Sequence, residues 1–262
     1  MAPPASRRDL FTGAADDYHR HRSGLPPEVV SLLAPLLGTP GARRLLDLGT
    51  GTGLVVDALL PHLDEAIGVD PEPEMVAVAR REVADPRVRW AVAAAEDFRP
   101  DDGWAAELVT VCRAFHWMDP DAVLARLAEH ASSTATVAVM GDASVWTSTQ
   151  PWKQEVRALI QSFLGERRRA GSGVGPADGR RHEDVLAASP FGRVEQVTVP
   201  VVHERSIDSV AGYLRSTSFA APRLFGERLP AFDAALRTLL AEHAVDGVVR
   251  DENVFGVLLA RR

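Results

Sequence analysis

The segment Leu45 to Gly53, LLDLGTGTG, constrains this chain more than any other. An apolar run that reads as a buried strand ends on glycines at 49, 51 and 53 and passes into a helix-like stretch, Leu54–Leu60. Glycine permits a tight turn there and lets a ligand come close to backbone N–H groups. A dinucleotide fingerprint starting at Gly49 requires glycine at position 54, and that residue is Leu54. A P-loop requires Gly-Lys-Ser/Thr after the glycines, and none follows. Asp47 sits in the strand end, two residues before Gly49. A carboxylate there repels a pyrophosphate but can anchor a cationic ammonium group, directly or through water. Asp70 follows the next strand, 21 residues after Gly49, and can accept both hydroxyls of a ribose.

The pattern around this loop predicts an α/β fold. Short apolar runs at Arg44–Leu48, Glu65–Val69, Val88–Ala93, Leu108–Cys112 and Thr136–Met140 alternate with helical patterns at Pro73–Val83 and Asp121–His130. Such alternation implies βαβ units and a parallel sheet. Pro73 and Asp121 stand where helix starts tolerate or favour them. The second half reads as helices at Gln150–Leu164, Asp184–Ala188, Ile207–Arg215 and Glu227–His243, with strands at Arg193–His203 and Asn253–Ala260. The late strands are expected to extend the same sheet. The helices between them are expected to form a lid over its carboxyl edge, where open α/β sheets bind ligands.

Composition narrows the function classes. The 262 residues fit one domain of 1–262, read as a helical cover (1–40), a binding core (41–141) and lid helices with the last strands (142–262). With a single cysteine, Cys112, there is no internal disulfide and no zinc site built from cysteine clusters. Of 29 basic residues only Lys153 is lysine, an arginine bias that reads as GC-rich coding. Residues 1–141 carry 13 basic and 21 acidic groups, net −8, and residues 142–262 carry 16 and 15, net +1. An acidic half argues against nucleic acid or an anionic membrane as partner. Met1–Arg8 lacks the apolar core of a signal peptide, and no apolar run reaches the roughly 18 residues that span a bilayer, so a cytoplasmic location is expected. The Gly- and Arg-rich stretch Arg167–Arg181 reads as a mobile loop.

The D-x-G-x-G-x-G loop with an acidic residue after the second strand resembles the class I S-adenosylmethionine-dependent methyltransferases. Ala94-Ala95-Glu96-Asp97-Phe98 looks like their adenine-binding segment. Ala114-Phe115-His116-Trp117-Met118-Asp119 resembles the AFHWFD stretch of the type-11, trans-aconitate-methyltransferase-like subgroup of small-molecule enzymes. Tyr18-xxx-Arg22-Ser-Gly-Leu-Pro26, Ser216-Thr217-Ser218-Phe219 and the ending Phe255–Arg262 match the same style.

The resemblance implies a Rossmann-like, seven-stranded, mostly parallel sheet with helices on both faces and a helical lid. It implies S-adenosylmethionine as cofactor and S-adenosylhomocysteine as product. Gly49, Thr50 and Gly51 would line the methionine and ribose, Asp70 the ribose hydroxyls, and Pro71 and Glu72 the adenine face. Glu96, Asp97 and Phe98 would frame the adenine edge, and the backbone at Arg113 and Ala114 would bind the methionine amino group. Tyr18 and Arg22 would close over the cofactor, with Arg22 a partner for its carboxylate. The sequence departs from the pattern at Ala94, where many relatives carry Asp, and at Ser23 and Leu25, where the subgroup has Pro and Tyr.

These residues imply methyl transfer to a small-molecule acceptor, an N- or O-methylation in natural-product tailoring such as antibiotic biosynthesis, without a metal. A homodimer is allowed. The alternative is a non-methylating S-adenosylmethionine-binding protein on the same scaffold, a regulator or a cyclase. His116 is the best-placed base, with a substrate hydrogen bond or packing as its other readings. Trp117, Trp146 and Trp152 could wall a substrate pocket or pack in the core. Trp90 reads as core and Trp104 as a surface prop. Asp142 reads as facing substrate or as capping the next segment.

Overall fold

A computed structural model describes residues 15–166 and 180–262, together with the backbone of Arg169–Ala170 and Gly173–Val174. Most of the expected loop Arg167–Arg181, and the first residues of the chain, lie outside the described residues. The chain divides into two compact units. One comprises Met1–Arg22, Ala143–Ala177 and Pro200–Val254, and the other Ser23–Asp142, Asp178–Val199 and Phe255–Arg262. This interleaving departs from the expected consecutive blocks, because the chain passes from one unit to the other within its last two long strands.

The second unit is built on a seven-stranded sheet in the order β3-β2-β1-β4-β5-β9-β8. Its strands are β1 (Arg44–Leu48), β2 (Glu65–Asp70), β3 (Val88–Val92), β4 (Ala106–Cys112), β5 (Ala131–Asp142), β8 (Arg193–Ser206) and β9 (Val248–Arg261). The short strands β6 (Arg169–Ala170) and β7 (Gly173–Val174) pair only with each other. Strands β1 to β5 are parallel, and β9 runs antiparallel to β5. β1, β2 and β4 are near-continuous apolar runs because helices cover both faces of a parallel sheet. Chain order runs outward from β1 in one direction and from β4 in the other. The boundary between them is therefore the switch point, where a crevice opens beyond the carboxyl ends of the strands.

The helices flanking this sheet begin where local chemistry allows. α3 (Leu54–Leu59) starts directly after the glycine loop. α4 (Pro73–Glu82) and α5 (Pro120–His130) each open on a proline, whose missing N–H is one that a first turn leaves unbonded anyway. The cap of α5 is Asp119, whose side chain accepts the N–H of Ala122, and Asp121 stands in the first turn, where an acidic residue is favoured. α7 (His182–Ala187) precedes β8. The core layers Leu46, Leu48, Val69, Val109, Val111 and Val137 against Phe115, Leu124, Leu127 and Phe191. Strands β5, β8 and β9 are longer than their apolar runs, because their ends carry polar residues that hydropathy does not count as strand.

The first unit is helical, with α1 (Ala15–His21), α6 (Pro151–Leu164), α8 (Ile207–Arg215) and α9 (Leu229–His243); α2 (Pro27–Leu33) belongs to the second unit. The first unit's core gathers Trp152, Val156, Ile160, Leu214, Phe232, Leu236 and Leu240. The phenyl rings of Phe225 and Phe232 stack at 4.0 Å. The lone lysine is buried here. Lys153 Nζ lies 2.5 Å from Asp251 Oδ1 and donates to the Glu252 carbonyl, while Arg205 Nε donates to Asp251 Oδ2 at 3.0 Å. A buried carboxylate thus serves two cations, which satisfies charges that would be costly alone. Among the described residues no helix is long and apolar enough to cross a membrane.

Candidate functional site

The loop after β1 occupies the switch point and takes its shape from three left-handed glycines, Gly49 (φ 66°), Gly51 (φ 55°) and Gly53 (φ 84°). L-residues pay about 1–2 kcal/mol for that conformation, and glycine does not. Space adds a second constraint. A Cβ on Gly49 would stand 2.4 Å from the Ala114 Cβ, and one on Gly53 2.8 Å from the Trp90 ring. The Thr50 N–H donates to the Val69 carbonyl, which ties the turn to the end of β2.

Register explains what lies beneath the loop. Trp90, Gly68, Asp47 and Thr110 are successive partners across β3, β2, β1 and β4, so their side chains share one face. Gly68 has no side chain, and the Trp90 indole fills that space: a Cβ on Gly68 would come 2.4 Å from the ring. On the other side, the Asp47 carboxylate is 1% exposed and accepts both the Thr50 hydroxyl at 2.6 Å and the Thr110 hydroxyl at 2.7 Å. Burial pushes its pKa up to about 6; the two hydroxyls pull against that rise and the charge of Asp70 adds to it. Asp47 is therefore the buried tie of the loop.

Asp70 ends β2 with both oxygens aimed at backbone. Its Oδ2 accepts the Gly51 N–H and its Oδ1 the Glu72 N–H, each at 2.9 Å. Burial raises its pKa to about 6 against those two bonds, and the Glu72 charge adds to the rise. Beside it Pro71 is exposed and Glu72 buried. The segment after β3 is less uniform than expected. Glu96 Oε1 accepts the Asp119 N–H at 2.6 Å, Asp97 is exposed, and Phe98 packs against the core. Glu96 thereby ties this segment to the start of α5.

The end of β4 brings the next group to the loop. Arg113 is left-handed (φ 57°), its N–H donates to the Met140 carbonyl at 2.8 Å, and its guanidinium pairs with Asp142. Asp142, read from the sequence as substrate-facing or capping, is a partner of Arg113 at the end of the neighbouring strand. Ala114 lies against Gly49. His116 and Trp117 follow in a single 3-10 turn, Phe115–Trp117; both are half-buried, with rings 4.6 Å apart. Asp47, Gly49, Thr50, Gly51, Asp70, Arg113, Ala114 and His116 thus gather at one sheet edge.

Tyr18, Arg22 and Trp146 belong to the first unit. Arg22 Nε donates to Ser216 Oγ at 3.1 Å, and the guanidinium lies over the rings of Tyr18 and Tyr213, at 5.0 and 4.8 Å. Arg22, expected to meet a cofactor carboxylate, is held within its own unit. The Trp146 ring lies 5.6 Å from Phe219. Trp152 is core, its Nε1 donating to the Arg250 carbonyl. Trp104 is 8% exposed and donates to Glu65, so it is core and not a surface prop. Trp90 is half-buried as the wedge under the loop.

Sequence reading missed Thr110 and Trp90. The signal for Thr110 is a hydroxyl inside the apolar run LVTVC. For Trp90 it is a large ring one strand away from a mid-strand glycine, Gly68.

Residues 45–134 match a family model described as a methyltransferase domain. Over 118 residues the chain is 39% identical to an uncharacterized methyltransferase of Mycobacterium tuberculosis, covering 44% of this chain and 46% of that protein. The same figures hold for one of Mycobacterium bovis. The chain thus spans about half the length of the curated relatives it matches. Among solved structures, a protein of Anaeromyxobacter dehalogenans assigned as a type II methyltransferase superposes with TM-score 0.58 at 22% identity, covering 92% of this chain and 97% of that one. An S-adenosylmethionine-dependent methyltransferase of Geobacter sulfurreducens, solved with S-adenosyl-L-homocysteine, superposes with TM-score 0.54 at 18% identity, covering 97% and 98%. These likenesses extend the fold over nearly the whole chain, and the match to the methyltransferase-domain model, over residues 45–134, spans the glycine loop, the Asp70 strand and the His116 turn.

Proposed function

We propose that this protein transfers a methyl group from S-adenosylmethionine to a small-molecule acceptor, as an N- or O-methylation in natural-product tailoring. One observation carries the reading. The glycine turn at the switch point is lined by carboxylates, Asp47 beneath it and Asp70 beside it, where a dinucleotide or nucleoside triphosphate site would present N–H groups and cations to phosphates. That donor set fits a ligand with ribose hydroxyls and cationic groups. The oxygens of Asp70 each accept one backbone N–H and have further lone pairs for hydroxyl donors. The backbone at Arg113 and Ala114 would hold the amino-acid end, and Phe98 would flank the adenine.

When bound, the cofactor supplies an electrophilic methyl group on a sulfonium. The protein's part is then to align an acceptor in line with that methyl, and positioning of this kind is worth up to roughly 7–11 kcal/mol. An amine acceptor must arrive neutral, and a hydroxyl acceptor benefits from a base. His116, on the turn after β4, would take that proton. The test is isothermal calorimetry with S-adenosylhomocysteine, followed by a mass-spectrometric search for methylated products among candidate acceptors. Absence of binding would end this reading. With an acceptor in hand, His116→Ala should lower turnover more than cofactor affinity; equal turnover would reduce His116 to packing.

A further inference from the structure

The ion pair between Arg113 and Asp142 stands at the ends of adjacent strands, in the same unit as the glycine loop. Its side chains are only 13% and 17% exposed. The Arg113 guanidinium also lies 5.5 Å from the centre of the Phe255 ring. Phe255 is the register partner of Asp142 on β9. The arginine is thus clamped from two sides. Its backbone is unusual as well: apart from Asp246, it is the only non-glycine residue with positive φ among the described residues. A left-handed arginine persists only where its surroundings hold it there.

The clamp leads to the loop. The Arg113 side chain runs back across Gly141, where a Cβ would stand 3.3 Å from Arg113 Cγ and 3.6 Å from its backbone nitrogen. The left-handed turn throws the next residue, Ala114, onto Gly49, with the contact a Cβ there would close to 2.4 Å. It also sets the direction in which the Phe115–Trp117 turn leaves the strand. Asp142 touches Arg113, Arg113 fixes the turn, and the turn presses on the first glycine of the loop.

We infer that Asp142 is a positioning residue: through its ion pair it holds Arg113 left-handed, and so sets Ala114 and the glycine loop in their binding arrangement. The inference rests on the reading of this sheet edge as the cofactor site. It gives Asp142 a role toward the cofactor and none in direct contact with the acceptor.

Glycine adopts the left-handed conformation without a clamp, which makes the backbone role separable from the side chain. S-adenosylhomocysteine affinity is measured by calorimetry, and melting is measured without ligand, for wild type, Asp142→Ala, Arg113→Ala, Arg113→Gly and the double variant Arg113→Gly/Asp142→Ala. Asp142→Ala and Arg113→Ala should each weaken binding by about two- to thirtyfold, the range for residues coupled to a site they do not touch. Arg113→Gly should recover most of what Arg113→Ala loses, and in that background Asp142→Ala should add little. Wild-type affinity in Asp142→Ala, even with a lowered melting temperature, overturns the inference and leaves the cofactor reading standing. So does an Arg113→Gly variant as weak as Arg113→Ala, because the side chain itself would then be what counts. A wild-type protein that binds no S-adenosylhomocysteine overturns the parent reading, and the inference with it.

Discussion

Replacing Asp47 by asparagine should stabilise this protein at neutral pH, and the gain should grow with pH. The carboxylate is fully enclosed, and its pKa stands at about 6 against an ordinary 3.8. The folded state therefore holds this proton more tightly than the unfolded chain does. For a raised carboxylate the sign is that stability is highest below pH 4, declines as pH climbs through about 6, and is flat above. The shift corresponds to at most about 3 kcal/mol, at 1.36 kcal/mol per pH unit. Asparagine keeps the shape, accepts one of the hydroxyls of Thr50 and Thr110 through its oxygen, and donates to the other, with no charge to bury. Urea unfolding of both proteins without ligand, at pH 4.5, 5.5, 6.5 and 7.5, reads the difference directly, provided the m-value is unchanged. The gap should be about 1 kcal/mol at pH 4.5 and approach ~3 kcal/mol at pH 7.5. A gap that does not widen with pH, or a variant less stable than wild type at pH 7.5, would show that the two hydroxyls hold the carboxylate ionised at little cost. The same substitution should weaken cofactor binding, because the loop loses its charge: stability and function pull apart at this residue.

Three further outcomes are expected. With the Asp70 pKa at about 6, a site that needs it ionised should lose about tenfold in affinity for S-adenosylmethionine between pH 7.5 and pH 5, one proton being taken up on release, and a flat profile would remove Asp70 from the site. Gly49→Ala should lower the melting temperature more than Gly103→Ala, since both have positive φ but only Gly49 has a neighbour in the way, and equal effects would discount the Ala114 contact. In the first unit, Asp251→Leu should destabilise more than Lys153→Met in chemical unfolding, because it removes the anion that Lys153 and Arg205 share; the reverse order would mean that the lysine's packing outweighs its charge.

The parts of this fold legible in the sequence are those whose causes are local. β1, the glycine turn and Asp70 are visible because an apolar run, three glycines and a carboxylate sit within 26 residues, Leu45 to Asp70. What stayed hidden depends on strand neighbours far away in the chain. Thr110 is 63 residues from Asp47, Arg113 is 29 from Asp142, and only the sheet order makes them touch. Trp104 read as surface because its indole needs Glu65, 39 residues earlier, to satisfy its N–H. Asp119 could not be told from Asp121 as a cap without backbone geometry. The division into two units is equally non-local, since it follows from where the polar ends of β8 and β9 continue.

The burial of Lys153 gives this protein a built-in reporter of its own opening. With 28 of its 29 basic side chains arginine, the chain has a single ε-amine, enclosed within the first unit. An acylating reagent can reach that amine only when α6 and β9 separate. Mass spectrometry of the peptide containing residue 153 would therefore time the opening of this unit, with no label introduced and no second lysine to blur the signal.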